Sequence, residues 1–168
     1  MDEKVLENLK AAFAGESQAH VRYMVFAEEA KAKGLKNLAR IFEAFAFSEY
    51  VHAKNHLKAM ENVEDAVANL DKAIEGETYE IEEMYPKMHD EAIKAKERRA
   101  ATSFRWAMET EKNHAEIYRK FRVLAASGRD KSINQKFYVC SVCGYTVESE
   151  PPEVCPLCSA GRATFREF

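Results

Sequence analysis

No cysteine precedes Cys140 in this chain of 168 residues, and glycine and proline are scarce before it. Between Asp2 and Ala126 the breakers are Gly15, Gly34, Gly76 and Pro86. So few interruptions exclude a fold of many short strands and predict long helices. No apolar run approaches the roughly 20 residues that span a bilayer, which excludes a transmembrane helix. The net charge of -3 gives no basic surface for nucleic acid or an anionic membrane. No glycine-rich nucleotide fingerprint of the GxGxxG type occurs, so the chain is not expected to bind a pyridine nucleotide itself. The opening "MDEKVLENLK" is acidic and amphipathic, unlike a secretory signal, and a cytoplasmic location is expected.

What is present is 46% hydrophobic and 32% charged, as suits a soluble protein rich in amphipathic helix. Four helices are predicted, roughly 3–33, 35–61, 64–96 and 98–126. "AKGLKN" around Gly34 reads as a turn, Asn62 as a candidate cap for the third helix, and the region of Glu97 as a weakly signalled third joint. Pro86 should kink the third helix rather than end it. The polar "SGRDKSINQK" reads as a linker, and short alternating segments with Pro151, Pro152 and Pro156 follow. The expected organisation is a helical domain at 1–127, a linker at 128–135 and a small domain at 136–168. Too small for a hydrophobic core, that last domain needs a metal to hold it. Its Cys140, Cys143, Cys155 and Cys158 form two CxxC pairs, the pattern of a tetrahedral thiolate site. Zinc and iron both fit that spacing.

The helical part carries acid where core residues belong. The third helix places Ala66, Leu70, Ala73, Glu77, Glu80 and Met84 on one seam at steps of three and four. The other seams read Leu9, Ala12, Glu16, Ala19, Tyr23, Phe26; then Leu38, Phe42, Phe45, Glu49, His52; then Phe104, Ala107, Glu111, His114, Tyr118, Phe121. A carboxylate in such a stripe is costly unless paired, hydrogen-bonded or bound to a cation. The halves also repeat. "AFAGES" (12–17) answers "AIEGET" (73–78), and "EYVHAKNHLK" (49–58) answers "EKNHAEIYRK" (111–120). One Glu from each of two helices and Glu-x-x-His from each of the other two is the carboxylate arrangement for two iron or manganese ions. Positions i and i+3 project together, one turn apart, so both side chains of each pair reach one site.

Glu80 breaks the repeat, since Ala19 stands at its counterpart. Five carboxylates roughly balance two ferric ions and overbalance two ferrous ones. Reduction should therefore loosen one carboxylate in favour of a neutral ligand, and Glu80 and a histidine suit such an exchange.

These motifs, "AFAGESQA", "EYVHAKNH", "GETYEIEEMYP", "EKNHAEIY" and the cysteine tail, resemble the rubrerythrin family over essentially the whole length. The resemblance implies an all-α, ferritin-like four-helix bundle followed by a small, irregular β, rubredoxin-like four-cysteine domain. It implies two iron ions, bridged by Glu49 and Glu111, with Glu16, Glu77 and Glu80 as terminal carboxylates. His114 would be a permanent ligand, and His52 would replace Glu80 on reduction. Tyr23 and Tyr85 match tyrosines that hydrogen-bond this site, whereas His20, His56 and His89 match no ligand. "CGY" and "CPLC" with Tyr138, Tyr145 and Phe165 are similar to rubredoxin, which favours one iron in the four-cysteine site, with zinc substitution possible.

The function this implies is a peroxidase acting on hydrogen peroxide in oxidative-stress defence. Its electrons would come from reduced pyridine nucleotide through a separate NAD(P)H-dependent rubredoxin reductase or a rubredoxin. A homodimer is expected, with the tail of one subunit against the bundle of the other. Exchange of helices about residues 61–64 is a further possibility. The competing readings are a ferroxidase or iron-handling protein, a plain electron-transfer protein and a structural zinc module for binding partners.

Overall fold

The computed structural model describes residues 1–129 and 134–168. Part of the expected linker, residues 130–133, lies outside the described residues. Two compact units divide the chain, Met1–Glu64 and Asp65–Phe168.

The first unit is a helical hairpin of α1 (Glu3–Ala32) and α2 (Lys36–Ala59). Asp2 starts α1 by accepting the Val5 amide on its carboxylate at 3.1 Å. The turn needs a left-handed residue, supplied by Gly34 at φ +73°. With it, Gly34 N donates to Lys31 O and Leu35 N donates to Ala30 O, both at 2.9 Å, closing the helix end. The buried residues of the hairpin are all alanines: Ala27 and Ala30 on α1, and Ala39, Ala46 and Ala53 on α2. The seven-residue spacing on α2 lays a smooth stripe along which the helices approach closely. Large seam residues stay in part accessible, Phe26 at 42% and Phe45 at 58%.

The second unit opens with α3 (Ala66–Tyr79), capped by Asp65 rather than by the expected Asn62. The Asp65 carboxylate accepts the amides of Val67 and Ala68, both at 2.9 Å, and this geometry follows from its position directly before the helix. At Glu80–Met84 the helix widens into a π-helical turn, and α4 (Tyr85–Lys94) follows. The expected kink at Pro86 thus takes the form of a π turn just before it. A proline ring crowds the preceding turn and lacks an amide, and the wider turn accommodates both. Lys96, at φ +61°, makes the next joint, where Glu97 N donates to Ala92 O at 2.9 Å. The helix α5 (Arg98–Ala126) then runs beside α3 and α4. Among the described residues no helix is long and apolar enough to cross a membrane.

The tail is a three-stranded antiparallel sheet, in the order β2 (Thr146–Glu148), β1 (Phe137–Cys140), β3 (Phe165–Glu167). It belongs to the second unit and rests on α5. Phe121 meets Phe137 edge-on at 5.5 Å between ring centres, and Lys120 pairs with Glu148 at 2.6 Å. The surface under the tail is α5 of its own unit.

Candidate metal centres

Among the described residues three donor sets emerge, each built within one unit. In the hairpin, α1 supplies Glu16 and α2 supplies Glu49 and His52. His52 Nδ1 lies 3.0 Å from Glu49 Oε2 and 3.9 Å from Glu16 Oε1. The i to i+3 spacing of Glu49 and His52 puts both on one face of α2, and the alanine stripe brings that face near Glu16.

The second unit repeats the geometry with Glu77 from α3 and Glu111 and His114 from α5. His114 Nδ1 lies 2.6 Å from Glu111 Oε2 and 3.8 Å from Glu77 Oε1. Burial, with Glu111 sharing a proton with it, raises the Glu77 carboxyl to about 7. Burial also pushes Glu111 up, but the hydrogen bonds from His114 and Glu77 outweigh this and hold it below the usual carboxylate range. The bond to Glu111 raises the His114 imidazole. Carboxylates this close share protons when no cation neutralises them, which is the electrostatic signature of a cation site.

Glu80 opens the π turn and stands outside this compact trio, though burial and the Glu111 charge both raise its pKa. Tyr85, which closes the turn, has its hydroxyl pKa raised by burial and then by the charges of Glu80, Glu111 and Glu77. Tyr23 sits in the hairpin, 6.3 Å from the rings of both Phe26 and Phe42. His20 is engaged at Nδ1 with the Ala46 carbonyl oxygen, 2.8 Å away.

Sequence reasoning assigned no site role to two residues that the structure brings to the second set. Tyr118, one turn beyond His114, has its pKa raised by burial and then by Glu77 and Glu111. Its place on the α5 seam was the signal for it. Thr146, from β2, puts Oγ1 at 2.9 Å from His114 Nε2. Nothing in the spacing pointed to that contact, which joins residues far apart in the chain.

The cysteines form the third set. Cys140 and Cys155 are buried, while Cys143 and Cys158 are partly accessible. Each pair occupies a tight turn, where Gly144 N donates to Cys140 O at 2.8 Å and Ser159 N to Cys155 O at 2.9 Å. Gly144 and Ser159 both adopt positive φ there. The sulfurs of Cys140 and Cys158 are 3.7 Å apart, and those of Cys143 and Cys155 are 3.6 Å apart. Thiolate bonds of ~2.3 Å to a tetrahedral ion put sulfurs about 3.8 Å apart, so the cage has the size of an iron or zinc site and is too wide for disulfides. Burial pushes the Cys140 thiol up, but the amides of Val142 and Cys143 prevail and lower it to about 6. Burial raises Cys143 and Cys158. The three sets, carboxylate with imidazole and four sulfurs, fit iron.

Residues 7–122 match the family model described as Rubrerythrin, and residues 138–166 match the one described as Rubrerythrin, rubredoxin-like domain. Rubrerythrin-2 of Clostridium acetobutylicum is 37% identical, covering 95% of this chain and 94% of that protein. Nigerythrin of Nitratidesulfovibrio vulgaris is 33% identical, covering 97% and 86%. The structure of nigerythrin in its fully reduced, all-ferrous state superposes with a TM-score of 0.58 at 32% identity, covering 97% of this chain and 86% of that one.

Proposed function

This chain belongs to the rubrerythrin family, and from that premise we propose that it is a non-haem di-iron peroxidase reducing hydrogen peroxide to water in defence against oxidative stress. The observation that carries the reading is the docking of the four-cysteine tail on α5, the helix that bears Glu111 and His114. Iron storage needs no dedicated electron entry, whereas a reductase of peroxide does.

Cleaving hydrogen peroxide to two waters consumes two electrons and two protons. An iron pair held by the two carboxylate–histidine sets supplies two electrons on passing from the diferrous to the diferric state. The chain's own residues do the rest. Glu49 and Glu111 would serve as the bridging carboxylates of such a pair, and Glu16, Glu77 and His114 as its lasting ligands. Glu80 and His52 are proposed to alternate as ligands with oxidation state. Support for this comes from the place of Glu80 outside the compact trio and from the accessibility of His52, whose side chain is 51% exposed. Burial and then the neighbouring carboxylates disfavour ionisation of Tyr85, so it keeps its proton and is proposed as an O–H donor to the site. Tyr23 is proposed for the same duty by family resemblance. Iron held by Cys140, Cys143, Cys155 and Cys158 would accept electrons, with an NAD(P)H-dependent rubredoxin reductase or a rubredoxin proposed as the donor.

We further propose a homodimer that exchanges helical hairpins. Each unit carries half of the ligands, and the hairpin seam leaves Phe26 and Phe45 in part uncovered, which supports a second copy as the partner. A monomer of full activity by light scattering would remove that idea.

Stopped-flow oxidation of the reduced protein tests the reaction itself. Fast oxidation by hydrogen peroxide and slow oxidation by dioxygen are expected. Equally slow reaction with both would overturn the peroxidase in favour of an iron-handling protein.

A further inference from the structure

We propose that Thr146 is a positioning residue of the carboxylate site, so that the four-cysteine tail holds a metal-ligating histidine in place as well as a metal of its own. The proposal rests on the reading of Glu77, Glu111 and His114 as ligands. It begins from the two faces of the His114 ring. Nδ1 points at the carboxylates of Glu111 and Glu77, so it is the nitrogen available to a metal. Nε2 points the other way and meets Thr146 Oγ1 at 2.9 Å.

The direction of that hydrogen bond follows from what else the hydroxyl does. Thr146 Oγ1 donates its only proton to the Gly144 carbonyl oxygen at 3.0 Å. Toward His114 it can then only accept, so the imidazole carries its hydrogen on Nε2. The lone pair is thereby on Nδ1, the form that binds a metal on the carboxylate side. Thr146 is itself buried, which limits the access of water to its hydroxyl.

The hydroxyl is itself held firmly. Thr146 faces Val139 across the sheet, and its carbonyl oxygen accepts a hydrogen bond from Asn113 Nδ2 at 3.2 Å, from the residue beside His114. Gly144, whose carbonyl takes the hydroxyl proton, follows Cys143 directly and takes the left-handed conformation at φ +83°. A side chain added there would approach Thr110 Cγ2 at 3.9 Å. The run Cys143–Gly144–Tyr145–Thr146 thus ties the cysteine cage to the outer nitrogen of a ligand. Among the described residues of the hairpin, His52 Nε2 has no such partner.

The test uses the full chain and compares Thr146→Val, which removes the hydroxyl at nearly constant shape, with Thr146→Ser, which keeps it. Metal-free protein is titrated anaerobically with ferrous iron, and the midpoint potential of the carboxylate-bound iron is then measured. Loss of an outer hydrogen-bond partner weakens metal affinity roughly 10- to 100-fold. Thr146→Val is expected to bind iron at the carboxylate set about 10-fold more weakly. Its midpoint should rise, because an imidazole without its acceptor is a poorer donor to ferric iron. Thr146→Ser should match the wild type in both. The visible spectrum of the four-cysteine iron should be the same in all three, which reports an intact tail. Should valine disturb that spectrum, Thr146→Ala takes its place against Thr146→Ser. Wild-type affinity and potential in the hydroxyl-free variant overturn the proposal alone. A wild-type carboxylate set that takes up no iron overturns the ligand reading and the proposal with it.

Discussion

The two carboxylate–histidine sets are near copies that differ in how firmly they are held. Glu16, Glu49 and His52 sit in a hairpin whose buried residues are alanines, and the His52 side chain is 51% exposed. Glu77, Glu111 and His114 sit under a docked tail, and the His114 side chain is 30% exposed with both ring nitrogens engaged. The same sequence motif therefore yields one accessible histidine and one anchored histidine. Local spacing builds the ligand pair, and the surroundings decide whether it can move.

The largest expected effect separates the two histidines. His114→Ala should lose iron from the carboxylate site, since the anchored ligand and its contact to the tail go together. His52→Ala should keep iron while slowing peroxide turnover. Iron analysis beside turnover checks both, and equal loss from the two variants would erase the distinction.

Next come Glu77 near the end of α3 and Glu80 at the start of the π turn. Glu77→Ala should lower iron content by leaving Glu111 and His114 without their partner from α3. Glu80→Ala should retain both irons and slow the cycle, because Glu80 lies outside the compact trio. Loss of iron from Glu80→Ala as severe as from Glu77→Ala would sink its proposed switching role.

A truncation after Ala126 should be milder for metal binding. The helical part should still bind two irons, though more weakly at the His114 side for want of Thr146. Single-turnover peroxide reduction by the pre-reduced protein should survive, and turnover driven by an electron donor should be lost. Absence of single-turnover chemistry would count against separate duties for the two parts.

The smallest effect concerns the turns, where the same left-handed joint is made by Gly34 in the hairpin and by Lys96 in the second unit. A side chain in that conformation costs about 1 kcal/mol. Lys96→Gly should thus stabilise the protein by about 1 kcal/mol and Gly34→Ala should destabilise it by a similar amount. Paired thermal melts read the signs, and a destabilised Lys96→Gly would mean that its side chain makes up for the strain.

Much of this was legible in the residues. The helices, the repeat and the alignment of Glu16, Glu49, His52, Glu77, Glu111 and His114 follow from the 3.6-residue period, which acts over one or two turns. The cysteine cage follows from CxxC spacing, because a tight turn brings two sulfurs to one ion. The joint near Glu97 was faint because lysine occupies a position where glycine is the usual signal. The π turn was hidden because an extra residue in a helix leaves the surrounding composition unchanged.

Helical spacing and cysteine turns are local, so the residue order alone specifies which side chains stand together as candidate metal donors. It took the folded chain to show that Thr146 meets His114, that burial and the charges of Glu77 and Glu111 act on Tyr118, and that the tail rests on α5. Those contacts join surfaces far apart along the chain. Their partners are chosen by packing and by the demand that buried polar groups find hydrogen bonds, and no short motif encodes either.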